Sequence, residues 1–366
     1  MKPAPLDEFP VHQTPLSMSQ VSTSDRHFYD RNYFNAHDRS GEVFLVSGFG
    51  VYPNLGVVDA FATVRHGDTQ RSVRFSDALE ARSTESRVGG YRIEVIEPLR
   101  TLRVVCEHED LSMDLRWEGS FEAVLEERHV LMEGPRTMLD ASRFAQVGSW
   151  SGMVNVDGED FVVDPRVWLG TRDRSWGIRP SGAPDPQERF AEEPREGFWW
   201  TYIPLRFEDF ALIIILQESP DGHRSLNHAS RVFADGRIEQ LGWPRLEFDY
   251  RPGTRHPEHV RVHLTTPMGE PLLLEIDTLL GIPLSMGSGY VGDPAWSHGR
   301  WMGRDWSESI SYDMTSPDVT GMLPYNVVDH VARARCNGAE GWGMFEHASM
   351  GRHDPTGFTD WVDMAK

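Results

Sequence analysis

Lysine is nearly absent: of 366 residues only Lys2 and Lys366 carry it, both at the ends of the chain. A phosphate-cradling loop of the G-x-x-x-x-G-K-[ST] type needs a lysine within it, and Schiff-base or pyridoxal-phosphate chemistry needs a buried one. Both classes are excluded. Cysteine is as scarce, and Cys106 and Cys336 stand far apart outside any C-x-x-C context, which suggests neither a disulfide framework nor a thiolate zinc site. No apolar run approaches the ~18 residues of a membrane span, and the first twenty residues lack the apolar stretch of a secretory signal, so a cytoplasmic location is expected. Positive charge is outnumbered, 36 basic against 56 acidic residues for a formal charge of -20, and no arginine-rich block concentrates it. A nucleic-acid backbone or an anionic membrane would be repelled.

What the chain does contain is strand grammar. Short runs rich in β-branched and aromatic residues recur at 42–52 (EVFLVSGFGVY), 57–64, 91–96, 102–107, 111–117 and 121–130, and again at 199–207 (WWTYIPLRF), 210–217, 245–250, 260–265 and 271–277. Asp157-Gly158, Asp221-Gly222, Asp235-Gly236 and Asn337-Gly338 lie between such runs, where two-residue hairpins need positive φ. The spacing of Tyr325, Val328, Val331 and Ala332 predicts one helix within 319–334, starting late because of Pro324. The fold class expected is all-β: two tandem antiparallel barrels, which hide sheet edges better than one large open sheet. Residues 1–24 read as an irregular arm on the surface, 25–168 as a first barrel and 169–366 as a second. The proline-rich stretch 179–197 reads as a crossing loop or lid.

Most apparent motifs dissolve on inspection. His256, His259 and His263 resemble metal-ligand spacing, but Pro257 argues against a helix, and in a strand His259, Arg261 and His263 form one solvated face. Gly148-Ser-Trp150-Ser-Gly152 places tryptophan where a nucleophile elbow needs serine. Two regions survive. Residues 29–38 (YDRNYFNAHD) pack aromatic, amide, imidazole and carboxylate groups together, and residues 170–179 (GTRDRSWGIR) set three arginines around Asp173 and Trp176. For the second region, a barrel closed by arginines stacked on tryptophan competes evenly with a catalytic corner.

The stretch GTRDRSWGIR resembles the G-x-x-D-R-S-W-G-x-R signature of the hydroxyneurosporene synthase (carotenoid hydratase) and AttH-like superfamily. YDRNYFNAHD is similar to that group's early E-S-Y-Y-F segment, with Tyr33 and Phe34 matching and Asn32 departing. Residues 144–152, with Gln146, and 341–347, with Glu346 and His347, resemble its Q-x-G-x-x-x-G and G-x-G-x-x-E-H segments. The resemblance implies two lipocalin-like barrels around a greasy cavity and chemistry without a redox cofactor.

On this reading the chain is a cofactor-independent lyase, hydratase or isomerase acting by acid-base catalysis on a terpenoid, steroid, polyketide or aromatic compound. Asp173 is its acid or base, Arg174 sets the pKa of Asp173, and Tyr33 and His37 handle a second proton. Trp176, Arg179, Trp199, Trp200 and Tyr202 line the pocket, with Gln146, Glu346 and His347 at its rim or floor. Trp199 and Trp200 point to opposite faces of one strand, so at most one of them serves. No metal and no other cofactor is implied, and the sequence leaves a homodimer open. The alternative is a non-catalytic carrier of the same ligands, in which the arginines only close the barrel; a carbohydrate-active protein is a distant third, because aromatic platforms also bind sugars.

Overall fold

The computed structural model describes residues 2–11, 17, 20–80, 84–183, 196–290, 292, 293 and 295–366. Of the crossing loop or lid expected at 179–197, residues 184–195 lie outside these. Alternating side chains produce two large antiparallel sheets, each curled on itself.

In the first sheet, Phe28–His37 pairs on one side with Val43–Tyr52, which opens a meander through Val57–His66 and Thr69–Ala78. On its other side it pairs with Leu169–Ile178, which in turn pairs with the 21-residue strand Arg136–Val156. Beyond that strand run Leu111–Gly119, Thr101–Cys106, Tyr91–Glu97 and Ser86–Val88. Both flanks supply one core, including Phe34, Leu45, Phe49, Tyr91, Trp117 and Trp150, so the sheet curls until its flanks meet. The second sheet is built from Gly197–Arg206 and its hairpin neighbours on one side and, on the other, Ala339–Gly351, Val328–Cys336, Pro271–Pro283 and the strands beyond. Its interior holds Trp199, Ile203, Ile214, Val262, Ile276 and Phe345. A third apolar cluster joins the sheets, with Tyr33, Phe44, Val46 and Phe61 from the first and Trp200, Tyr202, Ile213, Val331 and Met344 from the second. This seam is where the candidate site lies.

Three expectations are corrected. The strand Leu169–Ile178 sits in the middle of the first sheet, so the first sheet continues past residue 168, and Trp306–Asp313 returns late in the chain to pair with Thr69–Ala78. Among the described residues only Pro317–Met322 is α-helical, because from Val328 onward the DHVARARC alternation buries one face in each core, which a strand does and a helix cannot. The arm is not merely laid on the surface. Glu8 is 3% exposed and its carboxylate makes a two-pronged ion pair with Arg172, at 2.6 and 2.9 Å, while its backbone carbonyl accepts from Arg174.

The reading of the histidine run agrees with the geometry, and so do two of the four turns; at Asp221-Gly222 and Asp235-Gly236 only the glycine has positive φ. Asp157 and Gly158, and likewise Asn337 and Gly338, both adopt positive φ between paired strands. His259 and His263 pair with Asp277 and Glu247 on the outer face of Pro257–Thr265, opposite the buried Val260, Val262 and Leu264. Among the described residues no helix is long and apolar enough to cross a membrane.

Gly170, first residue of the GTRDRSWGIR segment, lies opposite Gly148. A Cβ there would come within 2.0 Å of the Asn35 carbonyl and 2.5 Å of Trp150 Nε1, which donates to that same carbonyl. Gly170→Ala is therefore expected to lower the melting temperature by separating two strands, an effect of about 1–3 kcal/mol checked by thermal denaturation.

Breaking the Glu8–Arg172 pair should cost more. Glu8→Ala leaves a guanidinium that is 1% exposed without its carboxylate, and about 3–5 kcal/mol of stability is expected to be lost in urea titration. The residual Gln146 oxygen at 2.8 Å cannot compensate a charge.

Candidate active site

The seam gathers side chains from both sheets by register. Tyr33 and Asp173 are direct cross-strand neighbours, and Ala145 flanks Asp173 on its other side. Facing this row, Tyr202, Glu346 and Asp329 are neighbours on three consecutive strands of the second sheet. The Tyr33 hydroxyl donates to Asp329 and also reaches Met344 Sδ at 3.2 Å, where Asn35 Nδ2 arrives as well. The Trp200 indole N–H donates to Glu346. Arg143 lies 5.5 Å above the centroids of both the Trp200 and Tyr202 rings and bonds Glu126 at 2.7 Å, while His129 stacks on Trp200.

The electrostatics of this row are those of carboxyls kept from water. Burial pushes the Asp173 carboxyl up to about 7, reinforced by Glu126 and Glu346 and opposed by Arg143 and Arg31. Asp173 nevertheless keeps some accessible surface and no described residue hydrogen-bonds it, so its carboxyl is free at the seam. Asp329, fully buried, is driven well above the usual carboxylate range by burial and by Glu346 beside it. Asp329 is therefore the carboxyl of this row that most favours keeping its proton. Burial likewise raises the Tyr33 phenol, and the Asp329 charge adds to the effect. His129 is lowered to about 3 by burial and by Arg143 and Arg179, so it stays neutral.

The segment that follows Pro271–Pro283 packs against one end of the seam. Its Tyr290 ring stands under both Arg31, at 4.9 Å, and Arg179, at 5.6 Å, and its His298 ring meets Arg31 Nη2 at 3.3 Å. Asp59, raised by burial to about 7, accepts from the Gly299 N–H at 2.6 Å.

Of the residues expected from sequence, Asp173, Tyr33, Arg179, Trp200, Tyr202 and Glu346 belong to this seam. The others do not. Arg174 follows Asp173 directly and so points to the opposite face, where it is bound to Asp30 at 2.6 Å; Arg143, not Arg174, is the cation that acts most on Asp173. Trp176 lies on that same inner face against Phe144, and Gln146 donates there to the Leu99 and Phe121 carbonyls. Trp199 and His347 face the interior of the second sheet, His347 bonding the Trp200 carbonyl, Thr201 and Tyr250. His37 shares the Tyr33 face but is four residues away, about 13 Å along the strand. It is wedged between Phe44 and Trp342, its nitrogens unpartnered, and burial lowers it to about 3.

Arg143, Glu126, His129, Tyr290, Met344 and Asp329 escaped the sequence reading. Only Asp329 left a trace, because the alternation of DHVARARC puts it on the face of Val331. No group of three or more histidine, cysteine, aspartate or glutamate side chains suited to a metal ion occurs among the described residues.

Two sheets curled in this way, each around its own core and joined face to face, define a protein of the double lipocalin-like, AttH-like architecture. The chain belongs to a family of unknown function, DUF8625, whose model matches residues 4–359. Among solved structures it is similar to a protein classed as AttH (NE1406) from Nitrosomonas europaea, with a TM-score of 0.56 and 14% identity over 88% of this chain and 92% of that one. It is also similar to kievitone hydratase from Nectria haematococca, with a TM-score of 0.52 and 12% identity over 88% and 89% of the two chains. No curated protein matches the sequence.

Proposed function

We propose that this chain is a cofactor-independent hydratase or lyase that acts by general acid-base catalysis on a hydrophobic small molecule held at the seam between the sheets. The observation that carries the reading is Asp173: a free carboxyl at the seam, poised near 7, beside a tyrosine that is hydrogen-bonded to a second carboxyl, Asp329, itself raised by burial and by Glu346. Such a pair of environments is what separate acid and base roles require. The name of one structural neighbour, kievitone hydratase, points the same way.

In the hydration direction, protonated Asp173 gives its proton to an alkene carbon. Water adds to the other carbon and releases a proton toward Tyr33 and the Asp329–Glu346 pair, and exchange with solvent restores Asp173. Elimination runs these steps backwards. The Trp200 face and neutral His129 offer an apolar wall on which a developing carbocation is stabilised.

The test is a panel of unsaturated terpenoids, phenolics and polyketides incubated with the protein in heavy-oxygen water and read by mass spectrometry. Protein-dependent incorporation of label is expected, with a rate that falls as pH rises through about 7, since the acid must be protonated. A rate that climbs across that range would remove Asp173 from the acid role.

A further inference from the structure

The described arginines of the core are mostly matched to carboxylates: Arg74 with Asp293, Arg143 with Glu126, Arg172 with Glu8 and Arg174 with Asp30. Arg31 and Arg179 are different. Neither has a carboxylate within ion-pair distance among the described residues, although Arg31 is 6% exposed and Arg179 half-buried. Arg31 reaches only the neutral ring of His298, and both guanidinium groups share the Tyr290 ring. A ring face offsets part of one cation and cannot neutralise two. Asp59 is the nearest candidate counter-ion for Arg31, but it stands beyond 4 Å and its carboxyl is already engaged by Gly299. The Tyr290 hydroxyl has no hydrogen-bond partner among the described residues, and that ring feels the charges of Arg31, Arg179, Glu346 and Asp173 together. It therefore stands between the two unmatched cations and the carboxyl row.

Unpaired guanidinium groups at this depth are costly unless something supplies the missing charge. We propose that the seam opens into a recess beside Asp173 and that its ligand is an apolar molecule bearing a carboxylate, which seats against Arg179 and Arg31 beside the Tyr290 hydroxyl. Its carbon body then lies along Trp200 and Tyr202, with the reacting carbon toward Asp173. This rests on the reading of the seam as the active site and adds the acidic class of its substrate. A carboxylate between two guanidinium groups and a phenol has donors for both oxygens, the arrangement in which charge-assisted hydrogen bonds are strongest.

The experiment compares 2-naphthoate with 2-naphthamide, nearly equal in shape and different in charge, binding to the full chain by calorimetry. Naphthoate is expected to bind more tightly. Arg179→Met should lower naphthoate affinity about 10- to 100-fold and leave naphthamide unchanged. Arg31→Met should act in the same direction, and Arg179, on the recess wall, serves alone if the Arg31 variant melts early. The exposed Arg245→Gln should change nothing. Equal binding of the two probes, no naphthoate binding at millimolar concentration, or a preference that survives Arg179→Met would overturn the proposal. Asp173→Asn separates the two claims. If it abolishes turnover while the parent shows no acid preference, the acidic-substrate inference fails and the catalytic reading stands. If the preference is present and erased by Arg179→Met while Asp173→Asn turns over normally, the reverse holds.

Discussion

Asp173→Asn is expected to reduce turnover by about 10²- to 10⁴-fold, the range removed with a general acid, while leaving the folded structure intact and raising its stability above pH 7. Asparagine keeps the volume and polarity of the side chain and removes only the proton that can be given up. The two effects have one origin. The folded pKa of Asp173 lies near 7, above its value in the unfolded chain, so ionisation favours unfolding increasingly from about pH 4 and fully above about pH 7. The parent carries this penalty at pH 8 and the asparagine variant does not. Thermal denaturation at pH 5 and pH 8 should therefore show the variant's advantage only at the higher pH. A variant that loses activity and stability together at both would mean that Asp173 holds the seam rather than works in it. Tyr33→Phe should slow turnover less, because the buried Asp329 carboxyl remains once the phenol is gone.

The architecture was legible because strands announce themselves by alternation, and here alternating runs recur between Phe28 and Pro283 and again from Val328 to Gly351. The site was legible only in part. Asp173 stood out by its segment, and Tyr33, Trp200, Tyr202 and Glu346 were read with it, but so were Arg174 and Trp176, which lie on the opposite face because successive residues of a strand face apart. That rule separates Trp199 from Trp200, as expected, and with equal force sends Arg174 and Trp176 to the inner face of the first sheet. The true companions of Asp173 lie across the seam. Asp329 sits in a stretch whose Tyr325, Val328 and Val331 imitate helical spacing, so its strand period was overlooked. Arg143 belongs to a strand of 21 residues of which the sequence reading recognised only the glutamine segment. Tyr290 and His298 come from a segment with no period at all, brought to the seam by the buried Arg74–Asp293 ion pair near Trp296. Nothing local in such a segment signals where it will dock.

Acid should unfold this protein well before its surface carboxylates are protonated. His37, His129 and His347 are held by burial at about 3, His228 and His256 at about 4, and His298 and His330 well below their ordinary value. In the unfolded chain these imidazoles take up protons near pH 6.5, and in the folded chain they cannot. Working against them, Asp59, Glu126, Asp173 and Asp329 bind protons in the folded state that the unfolded state would hold less in this range. Seven imidazoles outweigh four carboxyls, and the unfolded state gains an excess of about two to three protons between pH 6.5 and 4.5, where stability should fall by on the order of 3 kcal/mol per pH unit. A folded domain holds only about 5–15 kcal/mol, so cooperative unfolding is expected within that interval, measured by circular dichroism or urea midpoints. His37 makes the clearest single contributor: no hydrogen bond holds either nitrogen, and its neighbours Phe44 and Trp342 are apolar. His37→Phe should shift the acid midpoint downward and leave stability at pH 8 nearly unchanged, because a neutral ring is replaced by one of similar shape. A midpoint that does not move would place the acid sensitivity in the second sheet, where His347 and His256 lie.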